Sequence, residues 1–328
     1  MNGGKNIADN AVFVMQNVVK IVGLSVLILS GCMGTSFSEE NIVRAAGKYA
    51  VAISPVPVLN TADFCSVFGG DDGTKLKTDE SGLIREIEFI AFSRTVFTID
   101  EVIVRGENTV YKVTTLEYPA SPDKCYYVDS RFVEVIAKYP SERVKRLPDK
   151  ADVIRGLLSA EGVAYVWGGN QRKGIPEMLL FYPPRGRIDL DVRKKWMLQG
   201  VDCSGLLYEA TRGYTPRNTG DLVKYGIPVD IEGKGVNDII AAVEPLDLIV
   251  WAGHVIIILD KDRIIQSRQH YEKDPSRDQG GVRISSLRDA LRDLVQERRP
   301  VNDYEKNEYK PDNKFVIRRW YGVDKGEK

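Results

Sequence analysis

The sequence predicts an α+β protein in two parts, a small all-β module followed by an α+β domain. Three observations predict this. Short β-branched and aromatic runs separated by turns fill the chain between about residues 50 and 135, and no helix of ordinary length fits there. The texture changes at a charged stretch, ERVKRLPDK, which places the boundary at residue 147. Beyond it, apolar runs with helical spacing alternate with runs of strand type. The chain has 328 residues, 43% of them hydrophobic, which is enough for two ordinary cores.

The elements follow in order. In NVVKIVGLSVLILSGCMGTS, Lys20 precedes an apolar run from Ile21 to Leu29, too short to span a bilayer, and small residues and Cys32 follow. Charged, apolar and small residues in that order predict a secretory signal over residues 1–31. The segment LSGC is similar to the lipobox of bacterial lipoproteins. That resemblance implies lipidation at Cys32 and a lipid anchor in the membrane, hence a place in the bacterial cell envelope on the periplasmic face. Methionine rather than aspartate after Cys32 points to the outer membrane; a plain secretory signal with an incidental cysteine is the alternative. Residues 32–48 read as a polar tether.

Residues 49–147 carry the runs YAVAISPVPVLN, LIREIEFIAF, EVIVRGENTVYKVTTLEY and CYYVDSRFVEVI, with RGEN as a hairpin turn. They predict a small β barrel. The SPVPVLN opening and the strand spacing resemble the bacterial SH3-like modules that accompany cell-wall hydrolases. Cys65 and Cys125 both lie in this part of an exported chain, and a disulfide between them is expected.

Residues 148–328 open with DKADVIRGLLSA, whose apolar spacing at Val153, Leu157 and Leu158 suits a helix. Further on, QGVDCSGLLYEATRG sets Cys203 where a strand-like run becomes a helix. Asp202 and Ser204 are capping types, Leu206, Leu207 and Ala210 form an apolar stripe, and Gly213 is a stop signal. A cysteine in the first turn of a helix is expected to have a lowered thiol pKa, and the thiolate needs a base. Only His254 and His270 exist to supply one. His254 opens the strand-like run HVIIILD, and DKD turns into RIIQSR. A Cys–His pair of this kind needs a third polar group to fix the imidazole. Gln266 and His270 share strand parity, so facing direction does not separate them. A three-residue hairpin at DKD would set Gln266 opposite residue 256 and diagonal to His254, and Gln266 is the expected partner. Its amide oxygen would accept the ring N–H and fix the tautomer.

Equal counts of 46 basic and 46 acidic residues give zero net charge, so no nucleic-acid partner is expected. Two histidines and one available cysteine give no zinc spacing, and neither a metal nor a cofactor is expected.

AYVWGG, DCSG and GHV occur in an order that resembles the NlpC-type cell-wall cysteine peptidases. The resemblance covers roughly residues 150–270. It implies a circularly permuted papain-like fold and hydrolysis of murein (peptidoglycan) stem peptides at the γ-D-Glu–diamino acid bond. It further implies Cys203 as nucleophile, His254 as general base and Tyr165 lining the site near the oxyanion. Asp202 and Ser204 would hold the free amine of an N-terminal L-Ala, since a carboxylate pairs an ammonium. The 32 residues between AYVWGG and DCSG depart from the family's short loop and read as an ordered flap over the cleft or as a packing excursion. A wall-binding lipoprotein, or an acyl or amide transferase on the same scaffold, is the alternative function.

Overall fold

The computed structural model describes residues 41–43, 48–272, 280–304 and 313–323. The predicted signal, Cys32 included, lies outside them. The described chain is mixed α/β and mostly sheet. None of its helices is long and apolar enough to cross a membrane.

The first sheet has eight strands. In spatial order Val133–Ile136, Tyr49–Ala52, Val96–Arg105, Asn108–Thr114, Tyr126–Asp129, Val56–Leu59 and Ile87–Ala91 lie side by side, with Asn41–Val43 also on Val96–Arg105. All the pairings are antiparallel. RGEN is the expected two-residue turn: Arg105 pairs with Asn108, and Gly106 takes φ +60°, a conformation costly for residues with a Cβ.

The expected closed barrel is not formed, because the end strands Ile87–Ala91 and Val133–Ile136 do not pair with each other. Later chain sits on one of those edges instead. Asn170 Oδ1 accepts the Ile90 N–H at 3.3 Å, and Gly168 backs so closely on Ile87 that a Cβ there would collide with it. The edge is covered rather than closed. The expected Cys65–Cys125 disulfide is also absent: Cys125 is a free, exposed thiol.

Residues 170–201 supply the cover. They form two short helices, Glu177–Phe181 and Leu190–Trp196. Ile175, Met178, Tyr182 and Leu198 join Phe64, Phe68, Phe89 and Phe132 in one buried cluster, so the insertion completes the core of the first module. The Tyr182 hydroxyl bonds Asp129, Arg131 donates to the Phe181 carbonyl at 3.0 Å, and the buried Trp196 indole donates to the Tyr182 carbonyl at 2.6 Å. Of the two expectations for this stretch, packing rather than a flap describes it.

The second sheet runs Ile227–Pro228, Lys314–Arg319, Leu248–Trp251, His254–Ile258, Arg263–Arg268, Gly281–Ser286, with Arg299–Pro300 parallel on Lys314–Arg319. Its unbroken apolar runs are explained by burial on both faces. Val255 and Ile257 pack with Val153 and Leu157 of helix Lys150–Leu158 and with Leu206 and Leu207 of helix Cys203–Ala210. Ile256 and Ile258 pack with Ile239 and with Leu287, Leu291 and Leu294 of helix Leu287–Glu297. Each buried aliphatic side chain contributes about 1.5–3 kcal/mol. A one-residue slip would exchange the two sets of contacts, so the register around His254 is strongly specified.

The two sheets meet at the helix that carries Cys203. Glu117, buried, accepts from Arg143, from Tyr208 Oη at 2.6 Å and from Thr95 Oγ1 at 2.8 Å. Phe92 stacks on Tyr208 with ring centroids 5.1 Å apart.

Candidate active site

Cys203 is the first residue of its helix, and Asp202 is the N-cap. Asp202 Oδ1 accepts the Gly205 N–H at 2.6 Å, which satisfies one of the unpaired donors of the first turn. A side chain at Gly205 would collide with the Gly169 carbonyl oxygen, so the helix can approach the WGG loop only with glycine there. Upstream, Val201 donates to the Ala164 carbonyl at 3.1 Å and accepts from Ser267 Oγ at 2.8 Å. The cysteine is thus clamped between the Tyr165 loop and the strand Arg263–Arg268.

His254 stands at the start of its strand, opposite Trp251 across a turn of two residues. Gly253 in that turn has φ +103°, a conformation that favours glycine. The turn is pinned by Thr219 Oγ1, which accepts the Gly253 N–H at 3.0 Å, and by Tyr304 Oη, which accepts the Ala252 N–H at 3.1 Å. The Cys203 thiol faces the Gly253 carbonyl at 3.9 Å. The backbone N–H groups of Val255 and Ser204 favour the thiolate by hydrogen bonding. The sulfur therefore rests against backbone on both sides of His254.

Gln266 Oε1 lies 2.8 Å from His254 Nε2. An amide oxygen only accepts, so Nε2 carries the proton and Nδ1 keeps its lone pair. The register explains the contact: Ile257 pairs with Ile265 and Ile258 with Ile264, which extends to Gln266 opposite Ile256. The turn is the three-residue one, closed by the Leu259 N–H on the Arg263 carbonyl at 2.9 Å. His270 falls beyond the strand, which ends at Arg268. Trp251 leans on His254 with ring centroids 5.1 Å apart.

The electrostatics differ from the sequence expectation. Burial, with the Asp202 charge adding to it, pushes the Cys203 thiol up to about 12, and the helix start does not reverse this. Burial likewise lowers His254 to about 4, with Arg268 and Arg298 adding repulsion and the Gln266 hydrogen bond opposing. Both groups rest neutral at pH 7. Tyr165, half-buried, has its hydroxyl pKa raised by burial first and then by the charges of Asp202 and Cys203, which puts it electrostatically within reach of the thiol.

Asp202 and Ser204 flank the thiol as expected, and both side chains are hydrogen-bonded within the protein. Arg217, in the loop after helix Cys203–Ala210, takes both carboxylate oxygens, Nη1 to Oδ1 at 2.9 Å and Nη2 to Oδ2 at 2.6 Å. Its Nη1 also donates to Ser204 Oγ at 2.9 Å, and its Nη2 to the Gly169 carbonyl at 3.2 Å. Sequence reasoning missed Arg217. It lies in TPRNTG with neither periodicity nor motif around it, and only the chain's return to the helix start brings it there. Trp251 was missed for a simpler reason: an aromatic residue ending an apolar run reads as core. Among the described residues no group of three His, Cys, Asp or Glu could hold a metal ion.

The chain matches no protein-family model and no curated protein. Among solved structures it is similar to an NlpC/P60 family protein from Bacillus cereus ATCC 10987, at 15% identity and a TM-score of 0.30. The match covers 84% of this chain and 63% of that one, so this chain spans under two thirds of its length. A likeness of this strength defines neither fold family nor activity.

Proposed function

We propose that this chain is a thiol-dependent peptide hydrolase, with Cys203 as nucleophile, His254 as general base and Gln266 as the group that orients it. The observation that carries this reading is the Nε2–Oε1 contact of 2.8 Å, which leaves Nδ1 basic on a ring whose neighbouring backbone holds the thiol. Because the pair rests neutral, the thiol proton passes to His254 Nδ1 as sulfur adds to the substrate carbonyl carbon. The tetrahedral adduct collapses, the C–N bond breaks, and His254 returns the proton to the leaving amine. Water then attacks the thioester, giving its proton to His254, and the acid and the free thiol are released. Gln266 stabilises the transient imidazolium less than a carboxylate would. Tyr165 lines the acyl side, next to the developing oxyanion.

The ordered motifs AYVWGG, DCSG and GHV direct this chemistry to murein stem peptides and to the bond after γ-D-Glu. The LSGC segment directs the chain to the periplasmic face of the outer membrane through a lipid on Cys32. A free L-Ala amine held by Asp202 is not part of this reading, since Arg217 occupies that carboxylate. Mass spectrometry of digests of defined muropeptides tests it. Cys203→Ala should abolish the fragments while leaving the circular dichroism spectrum unchanged; wild-type turnover by that variant would remove the thiol mechanism.

A further inference from the structure

Residues 180–195 carry a surface that the chemistry above does not use. On its inner side, helix Glu177–Phe181 sets Met178 into the core of the first module. Helix Leu190–Trp196 buries Trp196, whose indole ties it to the Tyr182 carbonyl. At about 100° per residue, the side of each helix away from those anchors belongs to Leu180 and Leu190. They are 72% and 74% exposed. A lone exposed leucine needs no explanation, but these two sit among cations. Leu190 shares its face with Arg193 and Lys194, and Arg185, Arg187 and Lys195 complete the basic run RGRIDLDVRKK. Five basic and two acidic residues in that run contrast with a chain that is neutral as a whole. Other surface cations close on a nearby carboxylate, as Lys234 does on Asp230, Arg263 on Asp260 and Arg292 on Asp289. Here Lys194 meets Asp191 at 3.1 Å in the open, while among the described residues Arg187, Arg193 and Lys195 pair with no carboxylate.

We propose that residues 180–195 form a docking surface for a bilayer bearing anionic phospholipid, with Leu180 and Leu190 entering the acyl boundary and the cations around them on the phosphates. The two parts of the surface select this occupant together. Cations without internal partners are drawn to an anionic lipid face, each strengthening binding about fivefold. Leucine gains only where hydrocarbon meets it, and a hydrated wall polymer offers none. Arginine and lysine stems can lie along the same apolar surface while their heads stay at the phosphates. A second copy of this chain is opposed, because the same cations would face one another across a twofold contact. The inference needs neither the hydrolase reading nor the lipid on Cys32. Where that lipid is present, the surface sets how the tethered chain lies on the membrane rather than whether it stays there.

The test uses the full chain on vesicles of phosphatidylcholine, either pure or with about one third phosphatidylglycerol. Lys194 and Lys195 of the vesicle-bound protein are acetylated with an uncharged N-hydroxysuccinimide ester, and the products are quantified by peptide mass spectrometry. On the anionic vesicles both lysines should react at least about fivefold more slowly than on pure phosphatidylcholine. The double variant Leu180→Ser with Leu190→Ser should lose most of that protection. It keeps every cation, so the loss reports entry of the leucines rather than attraction alone. Should the double variant lose its circular dichroism spectrum, Leu190→Gln alone takes its place with the same expectation. Equal acetylation on the two kinds of vesicle would overturn the inference, and so would a chain that binds neither. Protection that survives the leucine changes would overturn it as well. Protection by murein sacculi in the absence of lipid would mark a wall-binding surface and overturn it in favour of that partner.

Discussion

Alkylation of Cys203 should reveal a neutral thiol rather than a preformed thiolate. The perturbation is pH, with iodoacetamide as reagent and Cys203 modification followed by peptide mass mapping. The thiol is pushed from 9.0 up to about 12 by burial and by Asp202. At pH 7.5 a shift of that size leaves about a thousandfold fewer thiolates than an ordinary cysteine has, a difference of about 4 kcal/mol. His254, lowered to about 4, is uncharged at the same pH and supplies no imidazolium to offset this. The alkylation rate should therefore climb about tenfold per pH unit from pH 6 through pH 10, with no plateau below neutrality. Hydrolysis should instead be governed by the base, and fall on the acid side only as His254 takes a proton near pH 4. A flat alkylation rate between pH 5 and 8 that disappears in His254→Ala would mean a thiolate–imidazolium pair, and the neutral-pair argument would be refuted.

Gln266→Ala should cost roughly 10–100-fold in kcat on the same peptide, as expected when a base loses the group that fixes its tautomer, while His270→Ala should cost little; a severe loss confined to the His270 variant would reverse the assignment. Tyr182→Ala should destabilise the full chain by about 3–5 kcal/mol in urea unfolding, because an aromatic anchor leaves a cavity shared by the insertion and the first module. A loss below about 1 kcal/mol would show that the insertion only rests on the module. Stability should also fall in acid. The fold holds the His254 ring neutral, so its contribution is full above the unfolded value of 6.5 and is lost as pH falls from there toward about 4, roughly 3 kcal/mol in all. Urea midpoints at pH 7 and pH 4.5 measure this, and a His254→Asn protein should show a correspondingly smaller decline.

Local chemistry made part of this structure legible in the sequence. Capping residues at 202 and 204 and a stripe at 206, 207 and 210 mark the start of a helix, and the helix begins at Cys203. The Ile-rich run after His254 and the DKD turn mark a hairpin, and its register follows from the turn length. What stayed hidden depends on contacts between distant segments. Burial raised the Cys203 thiol where the helix start alone predicts lowering, because desolvation by surrounding side chains outweighs a dipole acting over one turn. Arg217 reaches Asp202 across 15 residues, a pairing that no spacing rule announces. Barrel closure failed for the same kind of reason: the Ile87–Ala91 edge meets Asn170, 80 residues downstream of Ile90, before it can meet its own sheet. Cys65 and Cys125 shared a module but not a bond, since proximity in sequence says nothing of how two Cβ atoms face.

The insertion bears on how such a protein can change. Ile175, Met178, Tyr182 and Leu198 belong by sequence to the second half, yet they finish the hydrophobic interior of the first. A gene cut at residue 147 would leave the leading module with an open side and the trailing one with stranded aromatic residues. Neither half can be exchanged for a foreign counterpart without carrying those four side chains, or their equals in volume, along with it. The architecture that looks like two interchangeable parts on a string is an interlocked pair, and recombination at its apparent seam would yield chains that fold poorly. Lineages of this protein should accordingly travel as a whole, with residues 170–201 varying in step with the surface they fill rather than with the strand that carries His254.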